Sequence, residues 1–213
     1  MGLSEMSHSA SPLLLRRLLR IVERQEESAI GQTKSNVVFA VAHLDSPDSE
    51  LARVALSLVV HHHRFNGLAA NRLMQWLDDA NISPMRIAAL RDCGVAMLNQ
   101  PSIQELVTRM FSHISSDVRL TALGILASQT TGTSNDAWLP ALDKLLAEAP
   151  TPLVLDAIKK LKSPHFDTAL QAIANDTKRP LAIRLKALDS AKSVKLSGET
   201  FDMVKNVLAD AGS

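Results

Sequence analysis

The sequence predicts an all-α fold of about five stacked helix pairs, with a leading and a trailing helix. Hydrophobic residues make up 46% of the chain but aromatic residues only 3%, and leucine and alanine, both strong helix formers, supply most of the apolar side chains. Helix-like stretches recur at a nearly constant spacing, which is typical of stacked repeats. Hydroxyl residues stand directly before proline at many predicted helix starts. These observations together favour helices over strands.

The repeat is defined by small-plus-aliphatic pairs. Five stretches share it: SPDSELARVALSL, SPMRIAALRDCGV, SSDVRLTALGIL, TPLVLDAIKKL and KRPLAIRLKALDSA. Their alanines, Ala55, Ala89, Ala122, Ala157 and Ala187, lie 34, 33, 35 and 30 residues apart. A period of this size corresponds to one pair of helices, which must stack on its neighbours to bury its apolar face. Leu123, beside the central alanine, is therefore predicted to be a core residue.

The helices are predicted in order from apolar periodicity and start signals. The leading helix spans about 12–27, the pairs lie near 35–44/47–63, 68–80/84–98, 101–113/116–128, 136–148/151–162 and 165–175/180–193, and the last helix spans 198–210. Five starts carry Ser or Thr directly before proline, at Ser11, Ser46, Ser83, Thr151 and Ser163. Such a side chain accepts a hydrogen bond from the first turn, where proline needs no donor. The start at Pro101 follows Gln100, which is not a favoured capping residue, and depends on the apolar stripe after it.

Composition excludes several classes of site and protein. The single cysteine, Cys93, belongs to no pattern for a disulfide, a zinc site or a haem attachment, and it is interpreted as a small buried hydrophobe. No apolar run approaches the roughly 20 residues that span a bilayer. We expect a soluble chain without membrane insertion. Its compartment stays open: the lack of a targeting signal favours the cytoplasm, and a periplasmic location is the alternative. Residues 1–11 are expected to be a disordered lead-in, and residues 12–213 a single domain.

Two of the repeated stretches resemble a known repeat family. SSDVRLTALGIL and SPMRIAALRDCGV resemble the second helix of HEAT repeats, with an arginine two or three places before the alanine at Arg53, Arg86, Arg119 and Arg184. The fourth unit has Val154 there, and the period is shorter than the 40 to 47 residues usual for HEAT repeats. The resemblance implies a right-handed α-α superhelix, a single HEAT-like α-solenoid domain over 12–213, whose second helices line a concave surface that binds other proteins. The sequence lacks the aromatic pattern of tetratricopeptide repeats and the T-P-L-H of ankyrin repeats.

Three classes of function follow. The first is a non-catalytic protein-interaction scaffold, often a segment of a larger protein. The second comes from DTKRPLAIRLKAL, which looks like the helical-repeat segment of exported bacterial membrane-bound dehydrogenases with a cytochrome c domain, and would place the chain in the periplasm. The third is an enzyme on a HEAT-like scaffold, of the DNA glycosylase or bilin lyase type. The sequence favours the first, with no cofactor and no catalytic residue.

The run HHH at positions 61–63 raises the question of a metal site. His62 continues the inward stripe of its predicted helix, whereas its two neighbours point about 100° to either side. A helical metal pair needs spacing i and i+4, and residues 58 and 66 are leucine and asparagine. His43 and His113 end first helices, at the opposite end of the stack. His62 is thus the one metal candidate, and the pattern favours a structural histidine.

The remaining candidates are interpreted as structural. Asp78 and Asp79 are adjacent on a helix end, where neighbouring side chains diverge, so they predict a solvated end instead of a catalytic dyad. Trp76 and Trp138 fall on apolar stripes and are predicted to pack in the core.

Charge is concentrated near the end of the chain. Residues 159–195 carry nine basic residues against three acidic ones, a local net charge of +6 in a chain of net charge +1. The candidate interaction residues are Lys159, Lys160, Lys162, Lys178, Arg179, Arg184 and Lys186. Two interpretations stay open: a solvated face, or a surface that docks an acidic protein or an adjacent domain. Nucleic acid is disfavoured because the one aromatic residue among these lysines, Phe166, is predicted to face the core.

Overall fold

The computed structural model describes residues 11–26, 38, 40–61, 66–130, 133, 135–191, 198, 201–202 and 204–205. Its helices, in chain order, are α1 (Pro12–Glu26), α2 (Ser49–His61), α3 (Asn66–Trp76), α4 (Pro84–Met97), α5 (Pro101–Phe111), α6 (Ser116–Ser128), α7 (Leu139–Glu148), α8 (Pro152–Leu161), α9 (Asp167–Asn175) and α10 (Leu181–Ser190). These residues form no β-strand, so the predicted all-α class is confirmed. Most of the predicted last helix lies outside the described residues.

The chain divides into two compact units, Met1–Ser115 and Ser116–Ser213. The first contains α1 to α5 and the second contains α6 to α10. The division falls between the two helices of the predicted pair 101–113/116–128. The expectation of one domain over 12–213 stays a prediction, and the expected lead-in lies outside the described residues apart from Ser11.

Within each unit, alternate helices lie side by side. In the first unit α2 packs against α1 and α4, and α3 packs against α5, while α4 forms a hairpin with α3. In the second unit α8 packs against both α6 and α10, with α7 against α8 and α9 against α10. Second helices of the predicted pairs therefore contact second helices, as stacking of repeats requires.

The register of this stacking follows the repeat period. The alanines that define the repeat are all buried, which confirms the predicted register. Asp156 of α8 pairs with Lys186 of α10 at 2.5 Å, and Lys159 pairs with Asp189 at 2.7 Å. Both pairs join residues 30 positions apart, which is also the spacing of Ala157 and Ala187 in the same two helices. Two pairs with one offset require α8 and α10 to run parallel and in register.

The predicted helix starts after Ser83 and Thr151 are confirmed, and the start after Ser46 is corrected. Ser83 accepts a hydrogen bond from the N–H of Arg86, as Thr151 does from Val154, both at 3.4 Å. The predicted start after Ser46 is wrong. Helix α2 begins at Ser49, and its N-cap residue is Asp48.

The Asp48 carboxylate accepts from the N–H groups of Glu50 and Leu51 at 3.1 Å and also from Arg16 of α1. A carboxylate at a helix N-terminus gains from the helix dipole as well as from these bonds. The Arg16 guanidinium, helped by the Leu51 N–H, holds the pKa of the Asp48 carboxyl below its ordinary value. Asp48 thus joins α1 to the start of α2.

Two predicted first helices begin later than expected. A 3₁₀ turn, Asp136–Trp138, precedes α7, and another, Pro164–Phe166, precedes α9. In α7, Pro140 has no N–H to donate, so the regular i to i+4 hydrogen bonds of the α-helix begin only near it. The residues before it form a tighter 3₁₀ turn. Both turns bury an aromatic ring, since Trp138 and Phe166 are fully buried, which confirms the predicted core positions.

Replacing Gly124 by alanine is expected to stabilise the protein by about 0.5–1 kcal/mol. Gly124 lies inside α6, and a Cβ atom built there meets nothing within 4 Å. Alanine therefore lowers the entropy of the unfolded chain without a steric cost in the folded one. Urea denaturation of both proteins measures the change. A decrease in the free energy of unfolding would show that the position is crowded or non-helical in solution.

Candidate functional site

The histidines do not assemble a metal site in the described part of the chain. There, no group of three or more His, Cys, Asp or Glu side chains could hold a metal ion. His62 lies outside the described residues, so its metal role stays a prediction. His113 is buried; its Nε2 donates to the carbonyl oxygen of Asp79 at 3.2 Å, while its Nδ1 accepts from the N–H of Ser115 at 3.0 Å. Burial lowers the pKa of His43.

Cys93 is fully buried in α4. Burial raises the pKa of its thiol to about 12, so the reactive thiolate is scarce at neutral pH. We expect no labelling of the folded protein by a thiol reagent, and one equivalent of label after unfolding in guanidinium chloride. Rapid labelling of the folded protein would place Cys93 at the surface.

The four repeat arginines serve different purposes. Arg86 donates to the Asp45 carboxylate at 3.0 Å, and its guanidinium lies 5.4 Å from the centre of the Trp76 ring. Arg53 is exposed, and Arg119 is partly buried. Arg184 is only 7% exposed and donates to a backbone carbonyl. The four repeat arginines thus share a residue type but not a contact.

Asp45 is the acceptor at the centre of a polar cluster in the first unit. It lies in the turn before α2, with a side chain only 17% exposed. It accepts from the indole N–H of Trp76 at 3.0 Å, from Arg86 at 3.0 Å and from Arg72 at 2.5 Å. This carboxylate joins α3 and α4 to the preceding turn. Sequence reasoning missed it.

A second turn aspartate makes the corresponding contact one repeat later. Asp78 accepts from Arg109 of α5 at 2.9 Å, and both this pair and the Asp45–Trp76 pair join residues 31 positions apart. Asp79, its neighbour, lies instead 3.8 Å from Arg86. In the sequence, these two aspartates are marked by a Leu-Asp dipeptide that ends at Asp45 and occurs again at Asp78. The two dipeptides are 33 residues apart, which matches the spacing of the alanines that define the repeat.

A groove of about 270 Å³ lies between α2 and α4. Its floor is Trp76, which is buried at the end of α3, and its sides include Ala52 and Ala89. Alanine side chains at these inter-helix positions leave space that larger side chains would fill. Arg53 and Arg86 also line the groove. The arrangement is a largely apolar cleft beside guanidinium groups, with Ser49 and Asp92 also among its lining residues.

Three of the seven candidate interaction residues pair with a carboxylate. Lys159 and Lys186 form the α8–α10 ion pairs described above, and Arg179 pairs with Asp176 at 3.0 Å. Exposed pairs of this kind contribute only about 0–1 kcal/mol to stability. Of the three carboxylates, only Asp156 lies outside the segment 159–195, so the excess of positive charge in that segment largely remains.

Arg184 is buried and does not belong to an exposed basic surface. Its role as an interaction residue stays a prediction. Its Nε–H donates to the carbonyl oxygen of Ala174 at 2.9 Å. Position 184 precedes the buried Ala187 by three residues, which places both on the same face of α10. A rule based on residue type assigns arginine to the surface, whereas the helix register assigns it to the interior.

The other basic residues do not form one patch. Over the described ranges, Lys160, Lys162 and Lys178 have no carboxylate partner. Lys160 and Lys162 lie at the C-terminal end of α8, where cations gain from the helix dipole, while Lys178 precedes the start of α10. Because α8 and α10 run parallel, these positions are at opposite ends of the helices. A docking role for them stays a prediction, and this distribution favours the solvated-face interpretation.

The described helices include none that is both long and apolar enough to cross a membrane.

The structure offers two candidate surfaces, the groove of the first unit and the divided basic residues of the second. Of these two, only the groove is a concave site with apolar and charged side chains side by side. Comparison with family models, with curated proteins and with solved structures finds no match to this chain.

Proposed function

We propose that this chain is a non-catalytic HEAT-like repeat scaffold that binds another protein. The observation that carries the proposal is the parallel packing of α8 and α10, in which the offset between the helices equals the spacing of Ala157 and Ala187, together with the packing of α6 on the same α8. Stacked pairs of this kind build a long surface and need no enclosed cavity. Such surfaces commonly serve as platforms for proteins.

In this proposal both units belong to one right-handed α-α superhelix of about five HEAT-like pairs. The second helices, α2, α4, α6, α8 and α10, then line its concave surface. Met85 of α4, which is about half exposed, lines the groove described above and supports a binding role for that helix.

The use of charged side chains supports a non-catalytic role. The acidic residues that contact other helices, among them Asp45, Asp78 and Asp189, are each engaged with a basic side chain of a neighbouring element. These contacts hold helices together. A catalytic site instead brings together groups with shifted pKa values in a cleft.

The test is to recover the chain, expressed at its natural level in its source cells, and to measure its assembly state by native mass spectrometry. The expected result is a stoichiometric complex with a second polypeptide. A destabilised Leu123→Ala chain serves as the control, because chaperones bind it more than they bind the wild type. A wild-type chain that is recovered alone would overturn the proposal.

A further inference from the structure

We propose that the groove between α2 and α4 binds a segment of another protein that presents an aliphatic side chain next to a carboxylate. This proposal rests on the proposed function, since it gives the position and chemistry at which the scaffold takes its partner. Three properties of the groove carry it: its size, its apolar floor and the charge at its edge.

The groove lies at the lower end of the size range for ligand pockets and has room for a side chain. Pockets for drug-sized ligands usually measure about 300–1,000 Å³, and this groove measures about 270 Å³. Leu56 of α2 and Met85 of α4 line it from the two sides, with Met85 45% exposed. An aliphatic side chain of a partner would cover Met85 and remove apolar surface from water.

The floor offers apolar surface and no hydrogen-bond donor from the indole. The N–H of Trp76 is already donated to Asp45, and the guanidinium of Arg86 lies against the Trp76 ring. Base stacking needs an exposed aromatic face, and Trp76 is buried, so the groove does not suit a nucleic-acid base.

The charge at the edge favours a carboxylate. Arg86 is paired with Asp45, and Asp92, the acidic residue that lines the groove, lies 3.4 Å from the guanidinium of Arg91. Arg53 lines the groove, is exposed and has no carboxylate partner among the described residues. An arginine in this state can bind a carboxylate through two parallel hydrogen bonds. An acidic segment therefore fits, and a basic one is repelled by Arg53.

The first experiment selects random phage-displayed peptides on the wild-type chain. Enriched sequences are expected to share an aliphatic residue next to Asp or Glu. A synthetic peptide of the enriched sequence is then titrated by fluorescence anisotropy. Its affinity should fall about tenfold or more for Arg53→Glu, the loss of one strong contact, and little for Arg17→Glu, an exposed arginine of α1 outside the groove.

A matched pair of alanine variants tests the position. Ala88→Phe fills the groove from its exposed edge, whereas Ala96→Phe adds the same ring to an exposed position of α4 outside it. Peptide binding should be lost in the first and kept in the second, with far-UV circular dichroism melts showing both folded. If Ala88→Phe does not fold, Arg53→Glu decides the result.

Several outcomes would overturn the proposal. Three of them are an absence of enriched peptides, enrichment of basic peptides, and binding that survives Ala88→Phe. The fourth is a wild-type dimer that Ala88→Phe dissociates, because the groove would then be occupied by a second copy of the chain. The native complex separates this proposal from the proposed function. A complex that persists with Ala88→Phe rejects the groove but keeps the scaffold, whereas a chain recovered alone rejects the scaffold.

Discussion

Leu123→Ala is expected to lower the free energy of unfolding by about 2–5 kcal/mol, because truncating a buried leucine removes apolar contacts and leaves a cavity. Leu123 lies in α6 and is 2% exposed. Both α6 and α10 pack against α8, so a cavity there weakens the centre of the second unit. Chemical denaturation followed by far-UV circular dichroism measures the loss.

The control is Leu120→Ala, one helical turn earlier in the same helix. Leu120 is 52% exposed, and a substitution at such a position usually changes stability by no more than about 0.5 kcal/mol. Because both variants change leucine to alanine in one helix, helix propensity cancels between them. Equal losses from the two variants would show that the register of α6 is wrong.

Asp45→Ala is expected to lower the free energy of unfolding by about 1–3 kcal/mol, since it leaves the buried indole N–H of Trp76 without its acceptor and removes a charge partner from Arg86. The matched control is Asp78→Ala, at the equivalent turn one repeat later. The Asp78 side chain is 68% exposed and pairs with Arg109, so about 0–1 kcal/mol should be lost. Thermal melts of both variants test the difference, and similar losses would mean that solvent screens the Asp45 cluster.

The periodic part of the fold is predictable from the sequence. Ala122 and Ala157 are buried where the spacing places them, because an apolar stripe in a stacked helix has one face to bury it. The cap at Ser83 is equally predictable, since it depends on three adjacent residues. The N-cap at Asp48, in place of Ser46, is harder to predict, because the Asp48 carboxylate is stabilised by Arg16, which lies 32 positions away in the sequence.

The candidate sites are harder to predict because they depend on pairs of residues from different repeats. A count of charges identifies Lys159 and Lys186 as basic but does not identify their carboxylate partners on the neighbouring helix. It also assigns Arg184 to the surface. The groove arises because Ala52 and Ala89, on separate helices, both lack bulk near Trp76. No single stretch of sequence contains that coincidence.

The one-repeat reach of these contacts has a consequence for how the chain folds. Several pairs between helices join residues 30 to 41 positions apart in a chain of 213, from Lys159–Asp189 to Asp45–Arg86, and His165 pairs with Asp143 at a separation of 22. Chains whose contacts are close in sequence fold quickly, because little loop entropy is lost before each contact forms. During synthesis on the ribosome, the helices of one repeat can therefore pack as soon as the next repeat has left the ribosome. Synthesis and folding then proceed in the same direction, and a nucleus formed early is extended by each repeat that follows.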